Sequence, residues 1–155
     1  KCSVLENAIN KAAKNNVLIV NASGNHGRVG HIPLFSNPWL IPVSAASLSG
    51  KPLESSNTGE FIGKQGILAP GESILGLKSG GGYTNMTGTS IAAPFVSGIA
   101  ALLISLFPNR SADEIKRALL QLQHKRRRSV IPPMLNAIYS YDLLSNKGLL
   151  EGISR

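Results

Sequence analysis

The chain contains few cysteines, few aromatic residues and few acidic residues, and each shortage limits what it can be. Its 155 residues include one cysteine, Cys2, which excludes an internal disulfide framework and a zinc cluster built on cysteines. Eight acidic residues stand against sixteen lysines and arginines, a formal net charge of +8, so a basic nucleic-acid binder is one alternative. The charges are dispersed except at 125–128, and aromatic residues, 5% of the chain, do not interleave with that cluster. We therefore predict no nucleic-acid partner.

Length and composition indicate one domain with a substantial core, since 43% of the residues are hydrophobic. No clustered Asp/Glu loop of the calcium-binding type is visible, so we predict no metal ligands among these residues and no cofactor, and calcium binding by the protein stays open. No charged and apolar leader with a cleavage site opens the chain, and Lys1 leads almost directly into a helix. We therefore expect the sequence to start inside a larger protein, and its cellular compartment stays open.

An uncharged stretch runs from Lys78 to Arg110 and contains Gly88–Pro94, which leads into a long apolar segment. A helix that starts near Ser90 places its hydroxyl among the free N–H groups of the first turn, at the positive end of the helix dipole. This position favours stabilisation of an anion, including the negative charge that develops on a substrate under attack. Pro94 agrees with a first turn, where its missing N–H is not needed.

Two other interpretations of this segment are open from the residues alone. Ile91–Phe107 resembles a membrane span, but it is shorter than the roughly 20 apolar residues that a span requires, so we predict a buried central helix and no membrane span. Thr89 or Ser90 is also suited to be an ordinary helix N-cap without chemistry.

The first forty residues predict an α/β unit. A capping box, Ser3 with Glu6, indicates the start of a helix that ends at Asn15-Asn16. The apolar run Val17–Val20 is typical of a strand covered on both faces, and the polar loop Asn21–Gly27 follows at its carboxyl end. Sheets of this kind hold their sites at that end.

The rest of the chain predicts further strands and helices. Ile41–Ala46 is predicted as a strand that Pro42 places at an edge or at the strand's start. A short strand is predicted at Gly66–Gly71, resumed by Ser73–Leu75, and Gly80–Gly82 is predicted as a flexible loop.

The C-terminal third is predicted to be helical. Ser111 with Glu114 forms a second capping box, and the basic cluster at 125–128 lies near the end of the helix that it starts. A last helix is predicted at about Met134–Leu144, after Pro132-Pro133.

Two of these segments converge in type. A serine nucleophile needs a base and donors for the oxyanion, and the Asn25 amide and the Ser90 N–H are suitable donors. Gly88–Pro94 resembles the serine segment of the subtilisin-like serine proteases (the peptidase S8 family), and Ala22–Asn25 resembles their oxyanion-asparagine segment. Two further signatures of the family match in order and spacing: Ser56–Gly59 and Ala69–Gly71.

The resemblance implies a three-layer αβα fold with a mainly parallel sheet, of which this chain is an incomplete, C-terminal portion. It implies that residues 1–144 belong to one peptidase domain and that 145–155 form a loose tail. It also implies a serine endopeptidase that works through an acyl-enzyme, with Ser90 as nucleophile and Asn25 as oxyanion donor. Residues beside the substrate are then Ala22, Ser23, Gly24, Gly88 and Thr89. Residues 50–76 look most like the proteases that mature cyanobactin-type peptides.

The family places its catalytic aspartate and histidine before both segments, whereas the aspartates here, Asp113 and Asp142, follow Ser90. His26 is interpreted as a surface-loop histidine, and His31 and His124 are no better placed. We therefore expect the base and its carboxylate in a missing N-terminal half of the domain, and we expect this piece alone not to hydrolyse peptides efficiently. The alternative from another class is a non-catalytic, protease-like binding module.

Overall fold

The computed structural model describes residues 3–121 and 129–146. These residues form five α-helices: α1 (Ser3–Lys14), α2 (Glu60–Gln65), α3 (Thr89–Leu106), α4 (Ala112–Leu119) and α5 (Ala137–Ser145). They also form five strands and one 3₁₀ helix: β1 (Ile19–Ala22), β2 (Leu40–Ala46), β3 (Ile67–Pro70), β4 (Ile74–Leu77), β5 (Tyr83–Met86) and the 3₁₀ helix Pro33–Ser36. The predictions made for Cys2, for His124, for the cluster at 125–128 and for the tail beyond Asn146 lie outside the described residues.

The main sheet is parallel, with β2 between β1 and β3. Ile19 of β1 pairs with Leu40, and Val43 of β2 pairs with Ile67 of β3. Strands β4 and β5 form a separate antiparallel ribbon. The prediction that Ser73–Leu75 resumes the preceding strand is therefore wrong. The α/β class with a mainly parallel sheet is confirmed.

Side chains alternate along β2, so they face both sides of the sheet. Helices pack on each of these two sides. Ile41, Val43 and Ala45 face a core that they share with buried residues of α3, α4 and α5. Leu40 faces the opposite core, with Ile9 of α1 and Ile62 of α2. The predicted three-layer arrangement is therefore confirmed.

Of the two placements predicted from Pro42, the edge is wrong, since all seven residues of β2 are buried and β2 lies between β1 and β3, whereas the start of a strand agrees with the ladder to β3. Pro42 is tolerated there because its neighbours differ on its two sides. It lies opposite Asn21 of β1, but the ladder with β3 begins only at Val43. The missing N–H therefore falls at the start of the pairing with β3.

The strand prediction for Val17–Val20 is wrong in its bounds and in its burial. The strand β1 begins two residues later, and Val17 is 52% exposed. All residues of β1 are half-buried, because β1 is the outer strand of the sheet that the described residues form.

The apolar helix α3 is buried on one face only, which corrects the expectation of a buried central helix. Ala92, Val96 and Leu103 lie against the sheet, whereas Leu102 and Leu106 are 65% and 61% exposed. Among the described residues α3 is the one helix long and apolar enough to cross a membrane, and 28% of its length is buried in the protein. The length and composition of one helix are weak evidence for a membrane span. The absence of a membrane span therefore stays a prediction.

Local signals predicted the C-terminal helices well. The capping box of α4 is present: the Ser111 hydroxyl accepts the Glu114 N–H, and the Glu114 carboxylate accepts the Ser111 N–H. Helix α5 begins three residues later than predicted, because the Asn136 side chain caps it and Met134 is still extended, in a bridge with Leu68. No sequence pattern predicted α2, and Gly80–Gly82, predicted as a flexible loop, is the turn between β4 and β5.

Candidate active site

The carboxyl end of β1 and the first turn of α3 meet, although they are far apart in sequence. The backbone N–H of Gly24 donates to the Thr89 hydroxyl oxygen at 3.3 Å, and the Thr89 N–H donates to Oδ1 of Asn25 at 2.8 Å. Both contacts place the Asn25 side chain beside Ser90, the residue after Thr89. The two segments that the sequence predicted to cooperate are thus brought together.

The hydrogen bond from Thr89 fixes the orientation of the Asn25 carboxamide. Because a backbone N–H only donates, the Asn25 atom next to it is the oxygen. The amide nitrogen, Nδ2, then points away from Thr89, and it has no acceptor among the described residues. Asn25 is exposed, so this N–H is available to a ligand.

Gly88 packs directly on the Asn25 carboxamide. Its φ of 144° is a backbone conformation that glycine adopts readily, and a Cβ there would lie 3.0 Å from Nδ2 of Asn25. The Gly88 N–H donates to the Gly71 carbonyl at 2.8 Å. The Ala69–Gly71 signature therefore supports the turn that leads to Ser90.

Ser90 is the second residue of α3 and its side chain is exposed. The N–H groups of a first helical turn lack intrahelical partners. Here Asn25 accepts from Thr89, and the Gly88 carbonyl accepts from Ile91 and Ala92. Among the described residues the Ser90 N–H alone of these four has no acceptor, so it is the second candidate donor.

Two expectations about this turn are corrected. The N-cap residue of α3 is Gly88, without a side-chain cap hydrogen bond, so the interpretation of Thr89 or Ser90 as an ordinary N-cap is wrong. Pro94 lies inside the helix rather than in its first turn. Since proline has no N–H, the Ser90 carbonyl loses its usual partner four residues on.

The segment Ala22–Gly24, which is predicted to lie beside the substrate, continues from the end of β1. The Ser23 N–H donates to the Val43 carbonyl at 2.9 Å, which extends the pairing with β2 by one residue. Ser23 is 4% exposed and its hydroxyl turns inward to the hydroxyl of Ser44 and the carbonyl of Asn57. Ala22 and Gly24 are half-buried. Their contact with substrate stays a prediction.

The described residues do not supply a base for Ser90. Neither His26 nor His31 is hydrogen-bonded to Ser90 in the part of the chain that the structure describes, and the His31 ring packs edge-on against Phe61 at 5.3 Å. His26 is exposed on its loop, as predicted. Asp113 pairs with Arg117 at 2.7 Å on α4. No three His, Cys, Asp or Glu side chains in 3–121 and 129–146 are grouped to hold a metal ion.

Comparison with known proteins identifies relatives of most of the chain. The model of the subtilase family (Peptidase_S8) matches residues 1–139. A thermostable alkaline protease of Halalkalibacterium halodurans is 34% identical over 119 residues, which are 77% of this chain and 32% of that protein. The chain thus spans about a third of the length of this curated relative.

Solved structures give the narrower likeness. The self-cleaved protease domain of PatA is 40% identical, with a TM-score of 0.79, over 91% of this chain and 55% of that one. The prenylagaramide maturation protease PagA is 39% identical, with a TM-score of 0.78, over 92% and 56%. The predicted resemblance to cyanobactin maturation proteases is confirmed. From the match over residues 1–139, this chain belongs to the subtilase family.

Proposed function

We propose that this chain carries the nucleophile and the oxyanion site of a serine endopeptidase. The Ser90 hydroxyl attacks the carbonyl carbon of the scissile peptide bond, and its proton passes to a histidine outside residues 1–155. The bond to the leaving amine then breaks, that amine takes the proton, and water hydrolyses the acyl-enzyme on Ser90. Nδ2 of Asn25 and the N–H of Ser90 hold the oxyanion meanwhile.

One observation carries this proposal: the 2.8 Å hydrogen bond from the Thr89 N–H to Oδ1 of Asn25. It engages the carboxamide oxygen and leaves the amide nitrogen free to donate before any substrate arrives. Donors that are oriented in advance need no reorganisation when charge develops, and this is the condition under which they lower a barrier. No charged side chain stands between positions 79 and 109, and the start of α3 adds the positive end of its dipole at Ser90.

The base and its orienting carboxylate are proposed to come from the rest of the domain. Three observations support this. The chain matches 55% of the PatA protease domain, β1 is an open edge of the sheet that the described residues form, and the stripe Phe95, Leu102 and Leu106 of α3 is exposed. A peptide is the proposed substrate, since the family hydrolyses peptide bonds, and residues 1–155 alone are proposed to turn over poorly.

The test is covalent labelling of the full natural polypeptide with a fluorophosphonate probe. We expect labelling of the natural protein and of Ser97→Ala, and none of Ser90→Ala. Ser97 is a matched control, because it is an exposed serine of the same helix whose hydroxyl donates to the Ala93 carbonyl at 3.2 Å. Equal labelling of all three proteins would contradict the role of Ser90 and favour the non-catalytic module.

The oxyanion role of Asn25 has its own measurement. Asn25→Ala is expected to lower kcat by roughly 10²–10³-fold with little change in KM, the loss typical for one such donor in subtilisin-like proteases. An unchanged kcat would refute the role.

A further inference from the structure

The loop that carries Asn25, residues 23–28, is held by a buried side chain from another segment; we call these residues the oxyanion loop. Asn57 is 5% exposed. Its amide nitrogen donates to the Ser23 carbonyl at 3.0 Å, and its Oδ1 accepts from the N–H of His26 at 3.1 Å and of Arg28 at 3.0 Å. One carboxamide therefore binds three backbone groups of the oxyanion loop.

The Asn57 backbone binds the same loop. Its N–H donates to the Gly24 carbonyl at 2.8 Å, and its carbonyl accepts the Ser23 hydroxyl at 3.0 Å. Gly24 permits this close approach, because a Cβ at its position would lie 2.4 Å from the Asn57 amide nitrogen. Gly24 also has a φ of 104°, which disfavours any other residue.

The contacts flank Asn25 but do not touch its side chain. Ser23 and Gly24 are held before it, and His26 and Arg28 after it, while the Asn25 carboxamide itself binds Thr89. The backbone position of Asn25 is therefore set by Asn57, and its side-chain orientation is set by Thr89. Both constraints are needed to hold Nδ2 of Asn25 in a single position.

We propose that Asn57 is a positioning residue of the oxyanion site, whose effect on kcat passes through Asn25. The inference rests on the proposed role of Asn25. Without the three side-chain contacts, the oxyanion loop gains freedom on both sides of Asn25 and its donor is no longer oriented in advance. A displacement of about 1 Å in a positioning group is enough to cost up to about 10²-fold in rate.

The neighbouring residue, Ser56, provides a control that distinguishes a positioning role of Asn57 from a merely structural one. Ser56 is 3% exposed, and its hydroxyl exchanges hydrogen bonds with the N–H and the carbonyl of Ala45 at 2.9 and 3.2 Å. Ser56→Ala thus removes buried hydrogen bonds from the same segment without removing a contact to the oxyanion loop. It is the matched control for Asn57→Ala.

The kinetic test is a double-mutant cycle in the full natural protease with a peptide substrate. We expect Asn57→Ala to lower kcat by about 10- to 100-fold with KM nearly unchanged, and Ser56→Ala to leave kcat unchanged. In the Asn25→Ala background, Asn57→Ala should lower kcat no further. Additive losses would overturn this inference and leave the role of Asn25 intact, whereas a normal kcat in Asn25→Ala would contradict the proposed function itself.

A second measurement does not depend on activity. The Thr89 amide donates to Asn25, so its hydrogen exchange reports the position of the Asn25 side chain. Hydrogen exchange at the Thr89 amide is expected to accelerate in Asn57→Ala and in Asn25→Ala, but not in Ser56→Ala. The amides of Ile91 and Ala92 are expected to stay protected. An unchanged Thr89 amide in Asn57→Ala would overturn the inference.

If Asn57→Ala does not fold, Asn57→Asp serves in both experiments. It keeps an oxygen that accepts from the His26 and Arg28 N–H groups and loses the donor to Ser23. Its effect on kcat and on Thr89 exchange is then expected to lie between those of the natural protein and Asn25→Ala, and values equal to the natural protein would overturn the inference.

Discussion

The two sides of α3 have similar compositions and opposite surroundings. Val96 and Leu103 are buried against the parallel sheet. The stripe Phe95, Leu102 and Leu106 is 39%, 65% and 61% exposed in the described chain. Apolar content alone therefore does not say which face a helix buries; a covering layer decides it. The inner side is complete within this chain, and we propose that the outer side is completed by the rest of the domain.

The largest effect that tests this comparison is expected on the inner side. Leu103 is 3% exposed and belongs to the main core. Leu103→Ala should lower the free energy of unfolding of the full natural polypeptide by about 2–5 kcal/mol, from lost burial and a residual cavity. Denaturant unfolding measures it. A loss under about 0.5 kcal/mol, the usual range for surface positions, would contradict a complete inner side.

The adjacent leucine is the matched test of the outer side. Leu102 is 65% exposed in the described chain, so on that basis alone Leu102→Ala should change stability by less than about 0.5 kcal/mol. If the rest of the domain covers the stripe as we propose, the loss in the full polypeptide rises to about 2 kcal/mol or more. The same unfolding measurement distinguishes the two values, and the small one would contradict the proposed cover.

The comparison also explains which structures the sequence predicted. The capping box of Ser111 and Glu114 joins residues three apart, so its pattern is local and the prediction is confirmed. From Pro42 two placements were open for β2, an edge or the start of a strand, and only the register with β1 and β3 shows that Pro42 lies just before the ladder with β3.

The candidate active site shows the same difference between local patterns, which the sequence reveals, and long-range contacts, which it does not. Asn25 and Ser90 were predicted from a family resemblance, but the contact that orients Asn25 joins residues 64 apart, and Asn57 reaches the oxyanion loop from 34 residues away. Such contacts follow from how β1, β2 and α3 assemble and have no periodic signal in the sequence. The signature Ser56–Gly59 marked the segment that contains Asn57, yet it did not indicate what Asn57 binds.

The smallest expected effect on stability is at the solvent-facing start of α4. The Ser111 N–H, together with the hydroxyl of Ser111 and the Arg110 guanidinium, holds the pKa of Glu114 below its ordinary value against a smaller opposing effect of burial. A lowered pKa in the folded state means that the unfolded chain binds the proton more tightly. The stabilisation is therefore present above the pKa of unfolded Glu, about 4.3, and is lost as the pH falls through the folded pKa.

We expect Glu114→Gln to test this sign. The glutamine keeps an oxygen for the Ser111 N–H and loses the ion pair with Arg110, which is 2.7 Å long and partly exposed. At neutral pH the natural protein should be more stable than Glu114→Gln by up to about 1 kcal/mol, because solvent screens the pair. That difference should shrink in acid, while Asp113→Asn, which loses the neighbouring pair with Arg117, controls for general loss of charge on α4. A difference that stays constant from neutral to acid pH would mean that the carboxylate charge does not stabilise the cap, and that the neutral hydrogen bond to Ser111 is sufficient to start the helix.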